Sequence, residues 1–520
     1  MVRKQVSRFA SSAEIQAYLK RVAQTFNLDR YIQYNTRVTH ASWCEESATW
    51  TVELNGQHRV QSEILVNAGG ILNDPQIPEI PGLSSFAGPR LHTAAWDPSV
   101  DITGRRVAVI GAGASAIQLI PQIQPLASHV DVYIRTPSWI TPPIGLEETA
   151  PSPNPFYTEQ EKYRFKKDAS YYLHLRKGLE AQFNGMFRAF MKGTPEQKAL
   201  RADLEENMKT LIRTPALQEQ LIPKFEAGCR RMNPGQPYIH SLQEDNVLPV
   251  FGGVDSITSQ GVVVDGTERA CDILVLATGF NTSFRPRFPI IGRNGVDLQR
   301  LWSETPTSYM GTGVAGFPNY LIYLGPNTPI SNGSLMGSLE ATSDYFIRLL
   351  RKVIRQRVKA FDVRPEAQQD FDDHTQSIMR DMVWTGTCRS WFKKGVDGKV
   401  TALWPGSSLH YMQTLAENRW EDYNWDHAAE RFSYWGNGIS WTEDPNADKL
   451  GVEERSSMLE STTVPGSSGD ISYYLWASDP LNSASVGSIS ESVTEDAFAR
   501  KSEEWSKMQK SVAVEITVPV

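Results

Sequence analysis

The feature that most constrains the fold is a short apolar run that leads into a glycine loop. Residues 106–111 have the composition of a buried parallel strand, and residues 114–126 have that of a helix. Between them lies the pattern G-x-G-x-x-A, with glycines at Gly111 and Gly113. A strand, this loop and a helix in succession are typical of a dinucleotide-binding βαβ unit. The sequence therefore predicts an α/β fold built on a parallel sheet.

Each residue type in this loop has a physical reason. Gly111 permits the tight turn, Gly113 lets the backbone approach a pyrophosphate, and Ala116 lets the helix pack closely on the strand. The free N–H groups and the positive dipole end of the helix then face the phosphates. We therefore predict cofactor binding at Gly111, Ala112, Gly113, Ala114, Ser115 and Ala116.

The end of the next predicted strand distinguishes the two nicotinamide cofactors. An NAD site normally carries an acidic residue there, which accepts a hydrogen bond from the ribose 2′-hydroxyl. This chain has Arg135-Thr136 instead, and an arginine can bind a 2′-phosphate through two parallel hydrogen bonds. The alternative is a solvated surface arginine. The residue type favours NADPH, with Arg135 and Thr136 at its 2′-phosphate.

A second match to the glycine pattern, at residues 311–316, lacks this context. No apolar strand precedes it, and Phe317-Pro318 follows where a helix would begin. The apolar residues 320–324 predict a strand at that point. We therefore reject this segment as a phosphate-binding loop.

Composition narrows the class of protein. The net charge is −7 and there is no basic stripe, so we expect no nucleic-acid partner. No apolar run approaches the ~18 residues needed to cross a bilayer, and the first residues lack the apolar stretch of a signal peptide. We expect a cytoplasmic, monomeric protein without a metal site. Four cysteines without a C-x-x-C pair predict neither a disulfide framework nor a dithiol redox centre: Cys44, Cys229, Cys271 and Cys388.

Periodicity and turn residues predict the remaining elements. Ser11 and Glu14 form a capping-box pattern before a helix. Residues 31–38 and 48–54 alternate like strands, with a turn at Asn55-Gly56. Residues 63–70 are predicted as a buried strand that runs into a glycine turn. Further predictions are helices over 156–227 and 339–358, and a serine-rich, poorly ordered tail after residue 441.

A second motif lies just upstream of the glycine loop. Phe86, Gly88, His92, Trp96 and Asp97 occupy the fixed positions of F-x-G-x-x-x-H-x-x-x-W-[PD]. This pattern resembles the fingerprint of Baeyer–Villiger monooxygenases, within the class B flavin monooxygenases. The resemblance implies a linker between a flavin and a nicotinamide domain. It also implies that His92 organises the linker, so we do not assign this histidine as a catalytic base.

Other blocks extend the resemblance over roughly residues 7–425. Residues 277–280 resemble the second interdomain linker, residues 317–327 resemble a flavin-side segment, and residues 388–391 and 404–407 resemble the C-terminal part of fungal and bacterial members. The resemblance implies two Rossmann-like domains, of which the FAD domain is discontinuous, with a helical insert. The expected bounds are 1–97 (partial FAD domain), 98–155 (first NADP part), 156–227 (helical insert), 228–280 (second NADP part), 281–440 (C-terminal FAD part) and 441–520 (tail).

One block of the resemblance carries chemistry. The segment ending in Arg230-Arg231, before Tyr238, resembles a family segment that ends in Lys-Arg. This implies that Arg231 is the active-site arginine and that Arg230, in place of a lysine, contacts the ribose phosphate. A guanidinium keeps its charge at any working pH, so it can stabilise negative charge that develops on oxygen. The alternative is an arginine in a surface ion pair.

Members of the resembled family normally open with a first G-x-G-x-x-G that holds the FAD pyrophosphate, and that loop is missing from this sequence. The resemblance implies that the chain begins inside the flavin domain. Two explanations remain open. One is a shortened gene model of an ordinary enzyme, which we favour, and the other is a short protein that has lost flavin binding and exposes a broken parallel sheet. Val38 matches the position whose backbone contacts the flavin adenine.

The resemblance implies an FAD- and NADPH-dependent monooxygenase that inserts one atom of O2 into a ketone to give an ester or lactone. The aromatic helical insert favours a bulky ketone, and the fungal character of the C-terminal blocks favours secondary-metabolite biosynthesis, such as that of polyketide-type mycotoxins. Two alternatives stay open. These are a flavin monooxygenase that oxygenates nitrogen or sulfur, and a degenerate NADP-binding fragment without oxygenase activity.

Overall fold

The computed structural model describes residues 7–143, 154–328, 331–394, 398–436, 438–439 and 443, and the predicted tail lies outside them. The chain divides into two compact units. One comprises Met1–Tyr345 and Asp362–Asn424, and the other comprises Phe346–Phe361 and Trp425–Val520. Among the described residues, no helix is both long and apolar enough to span a bilayer.

The helices are as follows: α1 Ser12–Thr25, α2 Ala114–Ile123, α3 Glu159–Lys167, α4 Ala169–Gly185, α5 Pro195–Leu211, α6 Pro215–Leu221, α7 Gln236–Ser241, α8 Leu298–Leu301, α9 Leu335–Arg355, α10 Pro365–Met379 and α11 Ser408–Thr414. The strands are as follows: β1 Val38–Cys44, β2 Thr49–Leu54, β3 His58–Ser62, β4 Leu65–Asn67, β5 Arg90–His92, β6 Arg106–Ile110, β7 His129–Ile134, β8 Ile140–Thr141, β9 Asn233–Pro234, β10 Val247–Phe251, β11 Ser256–Ile257, β12 Gly261–Val264, β13 Thr267–Ala270, β14 Ile273–Leu276, β15 Ile290–Ile291, β16 Tyr320–Ile322, β17 Val358–Val363 and β18 Tyr423–His427.

A five-stranded parallel sheet forms the centre of the first unit, in the order β10-β7-β6-β14-β5. Every neighbouring pair in it is parallel, with Val109 opposite Val132 on one side and Val275 on the other. The strand order reverses between β6 and β14. In open parallel sheets the carboxyl edge at such a reversal is where ligands bind. The predicted α/β fold class is confirmed.

Both faces of this sheet are covered, which explains why its strands are almost wholly apolar. On one face Val107 and Val130 pack with Ile117 and Ile120 of α2 and Ile239 of α7. On the other face, Ala108, Tyr133 and Leu274 pack against the antiparallel sheet β11-β12-β13. The sheet is therefore a rigid support for the loops at its carboxyl edge.

A second group of strands precedes and follows this sheet in sequence. Strands β1, β2 and β3 form an antiparallel meander, and β15 joins β1 in parallel. Strands β4 and β16 form a separate parallel pair. Trp50 connects the two groups, because its indole Nε1 donates to the Pro318 carbonyl oxygen at 2.9 Å while its ring packs against Tyr320.

Helices α3 to α6 lie where the sequence predicts a helical insert. Thr158 and Glu161 form a reciprocal capping box at the start of α3, and α5 and α6 each begin with a proline after a capping threonine. Phe165 is buried against Tyr157 and Tyr171. This aromatic side chain therefore serves the packing of the insert itself.

Some strand predictions are wrong. Residues 31–38 are not a strand, because a 3₁₀ turn spans Leu28–Tyr31 and pairing begins only at Val38. The strand predicted within 63–70 is present as Leu65–Asn67, but it is not buried as predicted, since Val66 is 43% exposed. Other predictions are confirmed. Asn55 and Gly56 both have positive φ in the hairpin between β2 and β3, and residues 311–316 form turns without a following helix.

The second unit contains the last part of α9 and the first part of β17. Within it the Lys352 ammonium lies 4.8 Å from the centre of the Trp425 ring. The backbone N–H of Ala428 donates to the Arg357 carbonyl oxygen at 3.0 Å.

Candidate nucleotide-binding and active site

The first element of the site is the glycine loop at the carboxyl end of β6. Gly111 has a φ of +128°, and a Cβ there would lie 2.4 Å from the Ala277 carbonyl oxygen. No larger residue fits, because the backbone that follows β14 occupies that space. The loop therefore stands at the reversal of strand order, as its sequence pattern predicts.

The second glycine of the loop has the opposite environment. A Cβ on Gly113 would meet no atom within 4 Å, and no described side chain caps the helix at this residue. The space beside Gly113 at the start of α2 is therefore open, while Ala116 in the first turn is fully buried against the sheet. This cradle fits a pyrophosphate, which needs a close backbone approach and free N–H donors. The structure brings Gly111 to Ala116 together as predicted, and their contact with a nucleotide stays a prediction.

Two arginines meet at the carboxyl end of the neighbouring strand. Arg135 and Thr136 directly follow β7, and the Arg230 guanidinium Nη1 donates to the Thr136 carbonyl oxygen at 3.4 Å. Burial and, secondly, the charge of Arg135 lower the pKa of Arg230, and a guanidinium remains charged despite such a shift. Two cations held this close repel each other unless an anion lies between them. The arrangement suits a dianionic phosphate.

Arg231 follows immediately and differs from its neighbour. Its side chain is exposed, whereas that of Arg230 is half-buried. The Arg231 carbonyl oxygen accepts a hydrogen bond from Asn233 Nδ2 at 3.1 Å, which fixes its backbone. Within the described part of the chain, its guanidinium forms no ion pair with a carboxylate. The surface ion-pair alternative therefore gains no support.

The second predicted linker, residues 277–280, is hydrogen-bonded to Gln76, which lies upstream of the first linker. The Gln76 N–H donates to the Gly279 carbonyl oxygen at 2.9 Å, and the Thr278 hydroxyl donates to the Gln76 carbonyl oxygen at 2.6 Å. His92 adds a third contact. Its Nδ1 accepts from the Ala94 N–H at 3.1 Å, and its Nε2 lies 3.4 Å from the Thr278 oxygen.

These contacts define the state of the His92 ring. Burial lowers the pKa of His92, so the ring is neutral near pH 7. Since Nδ1 accepts a hydrogen bond, the proton is on Nε2 and is directed at Thr278. The histidine thus connects the two linkers at the carboxyl ends of β5 and β14. This geometry agrees with an organising role for His92.

A cavity of about 450 Å³ opens at the carboxyl ends of the parallel pair β4 and β16. Val38, predicted to contact the flavin adenine, lies in its wall. Three arginines and one carboxylate also line it: Arg37, Arg285, Arg287 and Asp74. Arg287 is directed across the cavity rim, since its Nη2 donates to the Gly69 carbonyl oxygen at 2.8 Å. A positive, partly apolar cavity at parallel strand ends fits part of a phosphate-bearing nucleotide such as FAD.

Sequence reasoning missed these cavity arginines, because no local motif marks them. It also missed a disulfide bond between Cys229 and Cys388, whose Cα atoms are 6.2 Å apart. The cysteine count predicts no disulfide framework, yet this single link joins two distant segments. No local pattern in the sequence marks this pair, because the two cysteines are 159 positions apart.

No metal centre accompanies the site in the described residues, where no three His, Cys, Asp or Glu side chains come together as a potential ligand group. The parallel fold, with its glycine loop at a strand-order reversal, is that of a nucleotide-dependent oxidoreductase. The comparisons with known proteins specify this class further. The chain belongs to the flavin-binding monooxygenase-like family, whose profile matches residues 2–152.

Relatives extend this family likeness over most of the chain. It is 39% identical to the FAD-binding monooxygenase stcW of Emericella nidulans over 448 residues, which cover 84% of this chain and 74% of that protein. It is 32% identical to a Baeyer-Villiger monooxygenase of Pseudomonas aeruginosa, over 78% of this chain and 75% of that protein. Among solved structures, cyclohexanone monooxygenase from Rhodococcus sp. Phi1 bound to NADP+ is 26% identical. It matches with a TM-score of 0.71, over 82% of this chain and 86% of that one.

Proposed function

We propose that this chain is an FAD- and NADPH-dependent monooxygenase that inserts one atom of O2 into a bulky ketone, giving an ester or lactone. The observation that carries the proposal is the meeting of Arg135 and Arg230 beside the glycine loop, with Arg231 next to them and free of any described carboxylate. The names of the Baeyer-Villiger and FAD-binding relatives support the same reaction class.

The nicotinamide cofactor binds at the carboxyl edge of the five-stranded sheet. Gly111 to Ala116 hold its pyrophosphate through backbone N–H groups, and Arg135, Thr136 and Arg230 bind its 2′-phosphate. The two guanidiniums cancel the two negative charges of that phosphate. NADH, which lacks the phosphate, leaves the arginines facing each other uncompensated.

FAD, when bound and reduced, supplies the activation of O2. Val38, Arg37, Gly69 and Arg287 would hold part of it in the cavity at the ends of β4 and β16. Three positive charges there suit the negative charge of a dinucleotide. Among the described residues that line this wall, Asp74 is the one carboxylate.

Arg231 stabilises the negative charge that develops on oxygen while the new carbon–oxygen bond forms. Its charge is permanent and needs no proton transfer at the moment of reaction. The His92–Thr278–Gln76 chain has a different role, which is to hold the two linkers together and so to set where the nicotinamide lies. His92 exchanges no proton with substrate.

The proposed substrate is a bulky apolar ketone of secondary metabolism. Tyr163 in α3 is 64% exposed, and Tyr171, Tyr172 and Phe183 in α4 are half-buried, so the insert offers aromatic surface beyond what its own packing uses. The domain bounds expected from the sequence go with this proposal, including the insert at 156–227.

The test is direct. The 520-residue protein is purified, supplied with FAD and desalted, and its visible absorbance is recorded. NADPH oxidation is then followed under ¹⁸O2 with a panel of bulky ketones, sulfides and amines, and products are analysed by mass spectrometry. A bound flavin and one ¹⁸O atom in an ester support the proposal. Oxygenation of sulfides or amines alone, or NADP+ binding without retained flavin, overturns it.

A further inference from the structure

The disulfide bond lies directly beside the arginine pair. Cys229 precedes Arg230 in the chain, and its partner Cys388 is 159 residues away. Both cysteines are buried, with exposed fractions of 0% and 2%. We propose that the Cys229–Cys388 bond is a positioning link that places Arg230 for nucleotide binding, and with it the neighbouring Arg231. This deepens the proposed function and rests on NADPH being the cofactor.

The segment that carries the arginines has little regular structure of its own. It follows α6 and reaches the two-residue strand β9, which begins at Asn233. Upstream of the arginines it is well anchored on the nicotinamide side. Gln197 Nε2 donates to the Ala227 carbonyl oxygen at 2.9 Å, and Trp139 Nε1 donates to the Phe225 carbonyl oxygen at 3.1 Å.

The arginines themselves are held weakly by comparison. The Arg230 side chain donates a hydrogen bond of 3.4 Å to the Thr136 carbonyl oxygen, which is at the long end of the useful range. Arg231 is exposed. Two residues of extended chain span roughly 7 Å, so whatever fixes Cys229 limits where both guanidiniums can lie.

Cys388 provides a rigid anchor for Cys229. It follows a buried cluster in which Met379, Val383 and Trp384 pack with Phe190. The contact is close beyond the sulfur atoms, because a Cβ on Gly386 would lie 3.2 Å from the Cys229 sulfur. A Cβ on Gly228 would lie 2.5 Å from the Phe190 ring, so the chain is pressed against the same cluster just before the arginines.

The link is also a covalent element that can be broken without changing the sequence. A thiolate of dithiothreitol attacks one sulfur, and the sulfur–sulfur bond breaks. A second attack closes the cyclic disulfide of the reagent, leaving two electrons and two protons on Cys229 and Cys388 as thiols. Oxidised glutathione reverses the change, because it accepts the two electrons and leaves as two reduced glutathiones. Since both sulfurs are buried, we expect slow reduction of the native protein.

The experiment compares nucleotide binding with the link intact, reduced and removed. Thiols are first counted in denatured protein: we expect two without reductant, from Cys44 and Cys271, and four after reduction. Dissociation constants for NADP+ and NAD+ are then measured by calorimetry. We compare the native, reduced and reoxidised protein, the double variant Cys229→Ser/Cys388→Ser, and the matched control Cys44→Ser.

Reduction and the double variant are expected to weaken NADP+ binding about tenfold or more, while NAD+ binding changes by less than about twofold. Reoxidation restores the first value, and the control variant behaves as the native protein. A lower melting temperature is expected in either case. A link with only a general structural role would shift both constants alike or leave both unchanged, and either result overturns the proposal. Four thiols in the unreduced protein overturn it as well. Because no oxygenated product is measured, failure of the monooxygenase assay leaves this result standing.

Discussion

At the scale of single residues, the choice between the two nicotinamide cofactors depends on charge at one strand end. Arg135 is exposed, and in the proposed function it shares a phosphate site with Arg230. For Arg135→Ala we expect the dissociation constant for NADPH to rise roughly 10- to 100-fold, because a charge-assisted hydrogen bond to phosphate is lost. NADH binding should change little. Calorimetric titration of both nucleotides checks this, with Arg105→Ala as an exposed control before β6. Equal weakening of both nucleotides would contradict the assignment.

Arg231 has a different expected signature, since it acts on the reaction rather than on the nucleotide. In Arg231→Ala we expect oxygenation to fall by roughly 10²-fold or more, the cost of removing one preorganised charge from an anionic transition state. Reduction of bound flavin by NADPH should continue, and Arg231→Lys should recover part of the rate. Stopped-flow absorbance and product analysis separate the two steps. Arg213→Ala, which removes an exposed arginine beside Glu244, serves as the control. Full-rate ester formation in Arg231→Ala would exclude this role.

The role of a residue can be predicted from the sequence when its surroundings are formed by neighbouring positions in the chain. Gly111 and Arg135 lie in one continuous strand–loop–helix–strand run, so their surroundings can be inferred from neighbours in the chain. Arg37 and Arg287 are 250 positions apart and line one cavity because β1, which follows Arg37, pairs with β15, which follows Arg287. The Cys229–Cys388 bond is non-local in the same way. A local sequence pattern does not show that such distant residues come together.

At the scale of elements, the two glycines of the loop predict opposite effects of the same substitution on stability and on nucleotide binding. Gly111→Ala places a Cβ 2.4 Å from the Ala277 carbonyl oxygen at a positive φ, so we expect a loss of at least about 2 kcal/mol of unfolding free energy. Gly113→Ala meets no atom within 4 Å and should keep near-native stability, yet its methyl group would obstruct a pyrophosphate. Denaturant melts and NADP+ titrations distinguish the two. Undiminished NADP+ affinity in Gly113→Ala would show that the phosphates do not bind at this loop.

Element boundaries were predictable where local chemistry determines them. The capping box of Ser11 and Glu14 starts α1 one residue after Ser11, and the Asn55-Gly56 hairpin has the expected backbone. The strand predicted over 31–38 is wrong because alternation alone does not supply a pairing partner. Strand β1 begins at Val38, where β2 runs alongside it and the first pair is Val38 with Leu54.

At the scale of the whole molecule, buried charge couples the fold to pH. The Asp362 carboxylate is buried beside Arg293, at 3.3 Å, and accepts the Gly316 N–H at 3.0 Å. Arg293 also pairs with Glu45 at 3.3 Å, so this group connects the end of β17 to the meander. Burial nevertheless outweighs the arginine and raises the pKa of Asp362 to about 6. The ion pair therefore connects these strands, but keeping the buried Asp362 carboxylate ionised costs stability.

The sign of the resulting pH dependence follows from linkage. The pKa of Asp362 is about 6 in the folded protein against 3.8 for an ordinary aspartate, so folding favours the protonated form. The free energy that protonation of Asp362 contributes to folding is fully present below about pH 4 and is lost as pH rises through about 6. Its size is at most about 3 kcal/mol, from 1.36 kcal/mol per pKa unit.

Asp362→Asn resembles the protonated side chain at every pH. We expect the unfolding free energy of the native protein to fall by about 1–3 kcal/mol relative to this variant between pH 4 and 7. Urea melts across that range measure it. Asp101→Asn is the control of opposite sign, because the Thr103 N–H lowers the pKa of that exposed carboxylate. Parallel curves for the native protein and Asp362→Asn would show that Asp362 is charged in the folded state throughout this range.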